Sequence, residues 1–479
     1  MAIVPGFVGP SYPSRSQAVA GERCINLFPE VVESNGKAQA ALYSCPGLPD
    51  FATGLKSPGR GLFAESGQLF AVGGNTLYEV DANGTPTSLG SVSDDGLPVT
   101  MVTNGDLHSG GDELAIASAN RVYLLNRSTL ALTNPVNDVR FIGQIGSFFV
   151  GLDSLTGILK ISESYDGGTW DPTQAVQRSS SSDQWIAMLT TPDEIFLFGE
   201  KTGEVWYNAG LAPFPFRQRQ NSSIARGITA PRSLARFGDT MAWLGSSGQG
   251  EDVVYLMNGY TPNRISNHAV EWAISEYRRT SRIDDAIGWS HEMLGHIFYV
   301  LEFPSADATW VYDQAIGQWH ERGLWDGHGF AAYRPRFHAT AFNRNIVCDR
   351  AGTSLLHLST QVYTDAGGAV LRRVRRLPHT YAENRRIRVD SFEIDAKKGV
   401  GLTAGQGVNP LVMMRYSNDG GETWSGERTA SLGAKGQYSQ RIKWDRCGVG
   451  RDRVWEVSVT DPVDVSFFNA FMQAQVLAH

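Results

Sequence analysis

The segment Glu113-Leu-Ala-Ile-Ala-Ser-Ala-Asn-Arg-Val-Tyr-Leu-Leu-Asn126 reads as two short apolar strands joined by a polar turn. Strands of this length and composition, bounded by turn residues, predict a β-hairpin. The same unit precedes it at 70–80 (FAVGGNTLYEV) and follows it at 148–163 (FFVGLDSLTGILKISE) and 194–208 (EIFLFGEKTGEVWYN). It returns at 240–258, 296–313 and 344–359, so successive starts lie 43, 35, 46, 46, 56 and 48 residues apart. Periods of about 40–50 residues are those of propeller blades. One hairpin cannot bury its apolar face alone, and radial repetition supplies neighbours while shortening exposed edges. Seven hairpins predict an all-β fold with a β-propeller of six to eight blades. The competing reading is a set of β-sandwich strands at similar spacing.

Composition agrees. With 42% hydrophobic and 19% charged residues, the chain of 479 residues has material for a large core. The 52 glycines and 10% aromatics suit short strands and tight turns better than long helices. One helix is predicted at 267–279, where Val270, Ala273, Ile274 and Tyr277 recur at helical spacing and Ser266 or Asn267 caps the start. It reads as a connector packed on the propeller.

After about residue 360 the pattern changes. An arginine-dense stretch holds Arg372, Arg373, Arg375, Arg376, Arg385, Arg386 and Arg388, and alternating strands follow at 389–395, 411–417, 437–444, 453–460 and 465–473. This predicts a C-terminal antiparallel β-sandwich-like domain at 361–479, a propeller at 56–360, and an extended segment at 1–55 that closes the propeller or contacts another protein. Residues 361–479 carry 17 Lys+Arg against 13 Asp+Glu, and residues 1–360 carry 25 against 36. That split suggests different partners for the two parts.

Cys24, Cys45, Cys348 and Cys447 form no C-x-x-C pair, which argues against a zinc ribbon or dithiol site. No stretch approaches ~18 consecutive apolar residues and the first residues lack a signal-peptide pattern, so a soluble protein made in a reducing cytoplasm is expected. His291-Glu-Met-Leu-Gly-His296 places its second histidine at i+5, whereas the helical zinc motif requires i+4, so structural histidines are expected. No phosphate-cradling glycine loop and no G-x-S-x-G elbow occur. No cofactor, metal or catalytic residue is expected.

Ser417, Asp419, Gly421, Thr423 and Trp424 fit the S-x-D-x-G-x-T-W spacing of an Asp-box, and 164–170 holds a shorter relative. The Asp accepts backbone N–H bonds, Gly tolerates positive φ, and Trp packs under the loop. The box is a structural turn. It also occurs in sialidases, which makes a glycan-active propeller enzyme the rival reading. The arginine stretch has three readings: a DNA-facing surface, an interface between subunits or proteins, and a solvated face. An interface is favoured, because many phosphate contacts would slow DNA sliding.

Several strings together carry a resemblance. They are Glu22–Glu30 (ERCINLFPE) and Ala41–Leu48 (ALYSCPGL), then Glu204–Gly210 (EVWYNAG) with Pro213–Phe216 (PFPF), and Arg264–Ser266 (RIS). Thr309–Asp313 (TWVYD), Gln318–Arg322 (QWHER), Arg415–Trp424 (RYSNDGGETW), Leu432-Gly433, Gly436–Tyr438, Arg451–Val454 and Thr460–Pro462 follow. In this order the chain resembles the packaged-DNA stabilisation proteins, or tail hub and nozzle proteins, of short-tailed bacteriophages. The resemblance implies a non-enzymatic structural component of the virion tail, assembled in the host cytoplasm. It further implies a homohexameric ring beneath the adaptor on the portal side. The same resemblance implies that double-stranded DNA passes through its lumen without sequence recognition and that spikes, fibres or a needle dock on it.

Overall fold

In Leu69-Phe-Ala-Val72 all four side chains are buried, and the strand alternates between two cores. Leu69 and Ala71 pack with Ile346, Cys348 and Leu355, while Phe70 and Val72 pack with Leu114, Ile116 and Leu125. The next strand does the same one step on. Leu114 and Ile116 face back, and Ala115 and Ala117 face forward onto Ile142 and Phe149. Strands buried on both faces read as continuous apolar runs, because each sheet lies between two others. Burying each such Leu, Ile or Phe contributes roughly 1.5–3 kcal/mol.

The structure is a computed structural model describing residues 2–33, 36–104, 112–179 and 181–477. It forms a seven-bladed propeller with a C-terminal β-sandwich. Six blades are consecutive four-stranded antiparallel sheets within 59–91, 100–137, 141–177, 187–218, 235–264 and 287–321. The predicted hairpins are the two middle strands of each blade. The seventh blade takes Pro335–Ala341, Arg344–Asp349 and Ser354–His357, and its fourth strand is Asp50–Thr53 from the other end of the chain. The longest hairpin spacing contains the helix His268–Thr280, between blades five and six. Its N-cap Asn267 accepts a 3.0 Å bond from the Val270 N–H, and Val270, Ala273 and Ile274 join the core between those blades.

The sandwich has two sheets. One contains Leu27–Val31, Ala40–Ser44, Ser466–Val476, Ile387–Ala396 and Ile442–Asp445; Ala2–Ile3 also pairs with Ser466–Val476. The other runs Gly21–Ile25, Arg373–Arg376, Asp452–Val459, Leu411–Ser417 and Arg428–Ser431, and continues through Ile25 into the outer strand of blade six. Phe392 of the first sheet stacks on Trp455 of the second, centroids 4.4 Å apart. The N-terminal strands Ala2–Ile3, Gly21–Ile25, Leu27–Val31 and Ala40–Ser44 thus pair into the sandwich sheets. The strand predicted at 437–444 begins only at Ile442. Gly433 and Gly436 hold φ of 88°, and the chain turns there, leaving Tyr438 73% exposed.

Candidate functional site

The arginine stretch is not one surface. Arg373 and Arg375 lie on a strand paired on both sides, and both are buried. The Arg373 guanidinium donates to the carbonyls of Asp461 (2.8 Å) and Val463 (3.1 Å), and burial pulls its pKa down to about 10. Arg375 donates to four carbonyls: Gly6 (2.6 Å), Phe7 (2.7 Å), Pro10 (2.8 Å) and Arg23 (3.3 Å). Its planar fork ties the first residues of the chain to the last domain. Neither side chain is available to DNA or to another subunit, which corrects that reading for these two positions.

Arg376 and Arg415 share the buried carboxylate of Glu456, at 2.9 and 2.7 Å, and both guanidinia lie against the ring of Trp424. Arg372 covers Trp325 at 4.2 Å and donates to Glu427. These contacts join the sandwich sheet to the hairpin that follows blade six. Arg385, Arg386 and Arg388 remain at the surface. Arg385 pairs with Glu383 and Arg388 with Asp390, and Arg386 has no ion pair among the described residues.

The Asp-box turn forms. Asp419 accepts from Ser417 Oγ (2.6 Å), from the Thr423 N–H (2.9 Å) and from Thr423 Oγ1. These donors hold its carboxyl far below the usual carboxylate range. Gly420 and Gly421 take φ of 77° and 103°, and Gly420 lies against Ala18. Nearby, His379 Nδ1 is 2.7 Å from Asp452 and its Nε2 is 2.8 Å from the Gln17 carbonyl. Ala18, Val19, His379, Tyr381, Asn384, Arg451 and Asp452 line a depression of about 330 Å³ whose rim exposes Val19 and Tyr381 at 76% and 71%. This surface was missed in the sequence, because the residues that form it lie some 360 positions apart. The shorter relative at 164–170 also closes as a turn: Asp166 accepts from the Gly168 N–H, and Trp170 Nε1 donates to the Gly167 carbonyl.

His291 and His296 occupy the two strands of one hairpin in blade six. His296 Nδ1 lies 2.6 Å from Asp313, and both rings stack on Phe298. Among the described residues no group of three or more His, Cys, Asp or Glu is placed to hold a metal. Arg322 sits over Phe298 and 3.3 Å from His291. Burial, with the charge of Arg322, holds His291 and His320 well below the ordinary histidine pKa, and burial lowers His338 as well. Such groups stay neutral in the fold but take up protons in the unfolded chain below about pH 6.5. Their contribution is therefore complete above that pH and is lost as pH falls toward the folded values. Asp365, raised to about 6 by burial, and Asp313, also raised, act in the opposite sense. Replacing His320 by Phe isolates one histidine. The loss of unfolding free energy between pH 7 and 5, measured by urea titration, is expected to shrink by about 1–2 kcal/mol. An unchanged slope would contradict the assignment.

Four buried carboxylates are held in ion pairs with arginines. Glu302 pairs with Arg336 and Arg350, Asp349 with Arg334, Asp252 with Arg278, and Glu204 with Arg178.

Two family models match the chain in order. The model described as "Bacteriophage P22 Gp10, beta-propeller" covers residues 16–363, and "Bacteriophage P22 Gp10, beta-sandwich" covers 372–475. A comparison with curated proteins returned no match. Among solved structures, the extracellular domain of the one-component system BT4673 from B. thetaiotaomicron is similar at 10% identity, covering 80% of this chain and 47% of that one, with a TM-score of 0.43. The N-terminal domain of Nup159 is similar at 9% identity, covering 71% and 99%, with a TM-score of 0.39. PorZ of Porphyromonas gingivalis is similar at 11%, covering 72% and 44%, with a TM-score of 0.36. These likenesses are too remote to bear on function. On the strength of the two ordered matches across nearly its whole length, the chain belongs to the bacteriophage P22 Gp10 family of phage tail structural proteins.

Proposed function

We propose that six copies of this chain form a ring in the short tail, beneath the adaptor on the portal side. The ring surrounds the passage for double-stranded DNA, retains the packaged genome and releases it at ejection. Spikes, fibres or a needle dock on its outer surface, and assembly takes place in the host cytoplasm. The observation that carries this reading is membership of the Gp10 family over both domains. Two structural features support it. A single eleven-stranded sheet runs from blade six into the sandwich, giving a stiff body suited to a ring element. The cavity lined by the inner strands of the seven blades is about 520 Å³, the size of a small-molecule site, which favours passage of a duplex between copies. Closed rotation of one self-recognising subunit generates such a ring without further parts. The Val19–Tyr381 rim is an exposed apolar surface suited to a contact between copies or with a docked protein.

A phage carrying a stop codon in this gene tests the function. Heads are expected to fill and then lose their DNA to nuclease, and added purified protein is expected to restore protection. Infectious, nuclease-resistant particles without the protein would overturn the reading.

A further inference from the structure

The propeller channel is built as more than a gap between blades. Its wall is apolar over Met101, Phe141, Met188, Leu189 and Phe337, yet two arginines from the entry to blade five, Arg232 and Arg236, also line it. The Arg232 guanidinium lies over the ring of Phe141 at 4.3 Å and reaches the Arg140 carbonyl at 3.3 Å. Its Nη1 is enclosed and has no hydrogen-bond partner. Arg236 donates to the Thr190 carbonyl at 2.6 Å. Neither arginine has a carboxylate within ion-pair distance among the described residues.

The surrounding charges do not fill that need. Glu65, the carboxylate of the wall, is paired with Arg127 at 3.0 Å. Asp95 lies in the electrostatic reach of Arg232 but is taken by Arg60 at 2.8 Å, and Arg60 and Arg140 add further positive charge. Thr100 and Thr190 are also engaged, their Oγ1 atoms accepting from the backbone N–H groups of Ile142 and Gln144 in blade three. A half-buried guanidinium with an enclosed, unused Nη1 donor and no counter-ion among the described residues is costly unless an anion completes it. Charge-assisted bonds to a carboxylate are the strongest way to do so.

We propose that this channel binds a small organic carboxylate, its charged end on Arg232 and Arg236 and its apolar body against Met101, Phe141, Met188 and Leu189. The volume, with an apolar side at Met101, Phe141, Met188 and Leu189 beside two arginines, suits an amphipathic small molecule. The proposal is independent of ring formation, since the whole wall comes from one chain.

Calorimetric titration of the full-length protein with sodium octanoate, 1-octanol and inorganic phosphate tests it. Octanoate is expected to bind one site per chain, and more tightly than either control. Its affinity is expected to fall about tenfold or more in Arg232→Gln. Arg236→Gln, altered at an exposed position, is expected to weaken it as well while melting like the parent, which guards against a folding defect at Arg232. Absence of octanoate binding would overturn the proposal, as would equal affinity for octanol or phosphate. Unchanged octanoate affinity in the two variants would do the same.

Discussion

An Arg375→Met protein is expected to lose about 3–5 kcal/mol of unfolding free energy, because several enclosed carbonyls lose their donor at once. Among the described residues Arg375 has no carboxylate partner in ion-pair range; its guanidinium is spent on the carbonyls of Gly6, Phe7, Pro10 and Arg23. Methionine fills much of the same space but offers no donor. The orphaned carbonyls, each costing about 1–3 kcal/mol while buried, are relieved only if the first residues detach and rehydrate. Urea titration is therefore expected to show the loss, and trypsin to cut at Arg15 faster in the variant than in the parent. Arg375→Lys keeps the charge but not the planar fork, so an intermediate loss is expected. A variant with the parental midpoint and a protected N-terminus would show that the clamp contributes nothing.

The second large effect concerns how the propeller closes. Asp50–Thr53 is the outermost strand of blade seven, and Phe51, Ala52 and Leu55 pack in the core shared with blade one. Residues 46–363 keep this strand, whereas residues 55–363 lack it. The first chain is expected to melt cooperatively as a monomer. The second loses the burial of Phe51 and Ala52, and it opens the strand Ser354–His357 as a new unpaired edge. A destabilisation of about 2–4 kcal/mol with aggregation is expected, from roughly 1.5–3 kcal/mol for Phe51 and about 0.8 kcal/mol for the Ala52 methyl. Indistinguishable melting of the two chains would contradict closure by this strand.

Much of the architecture was legible because it is local. Each blade hairpin contacts itself within about 20 residues, and turn residues such as Asn120 mark where it folds back. The helix was legible for the same reason, through its cap and apolar stripe. What escaped the sequence is non-local. Nothing in Gly21–Ile25 announces that it pairs with Arg373–Arg376 some 350 residues away. The arginines misled for a related reason. A guanidinium turned inward onto backbone carbonyls and one facing solvent have the same sequence, and only the pairing of Arg373–Arg376 on both sides separates them from Arg385, Arg386 and Arg388. The channel arginines were invisible for the same cause, since the wall is assembled from the inner strands of seven blades.

The most direct test of the account is electron microscopy of purified virions, with this chain located in the tail density. The expected result is six copies around the tail axis, with DNA density running between them and none inside the individual propellers. A different copy number, DNA within a propeller channel, or a particle lacking the protein altogether would contradict it.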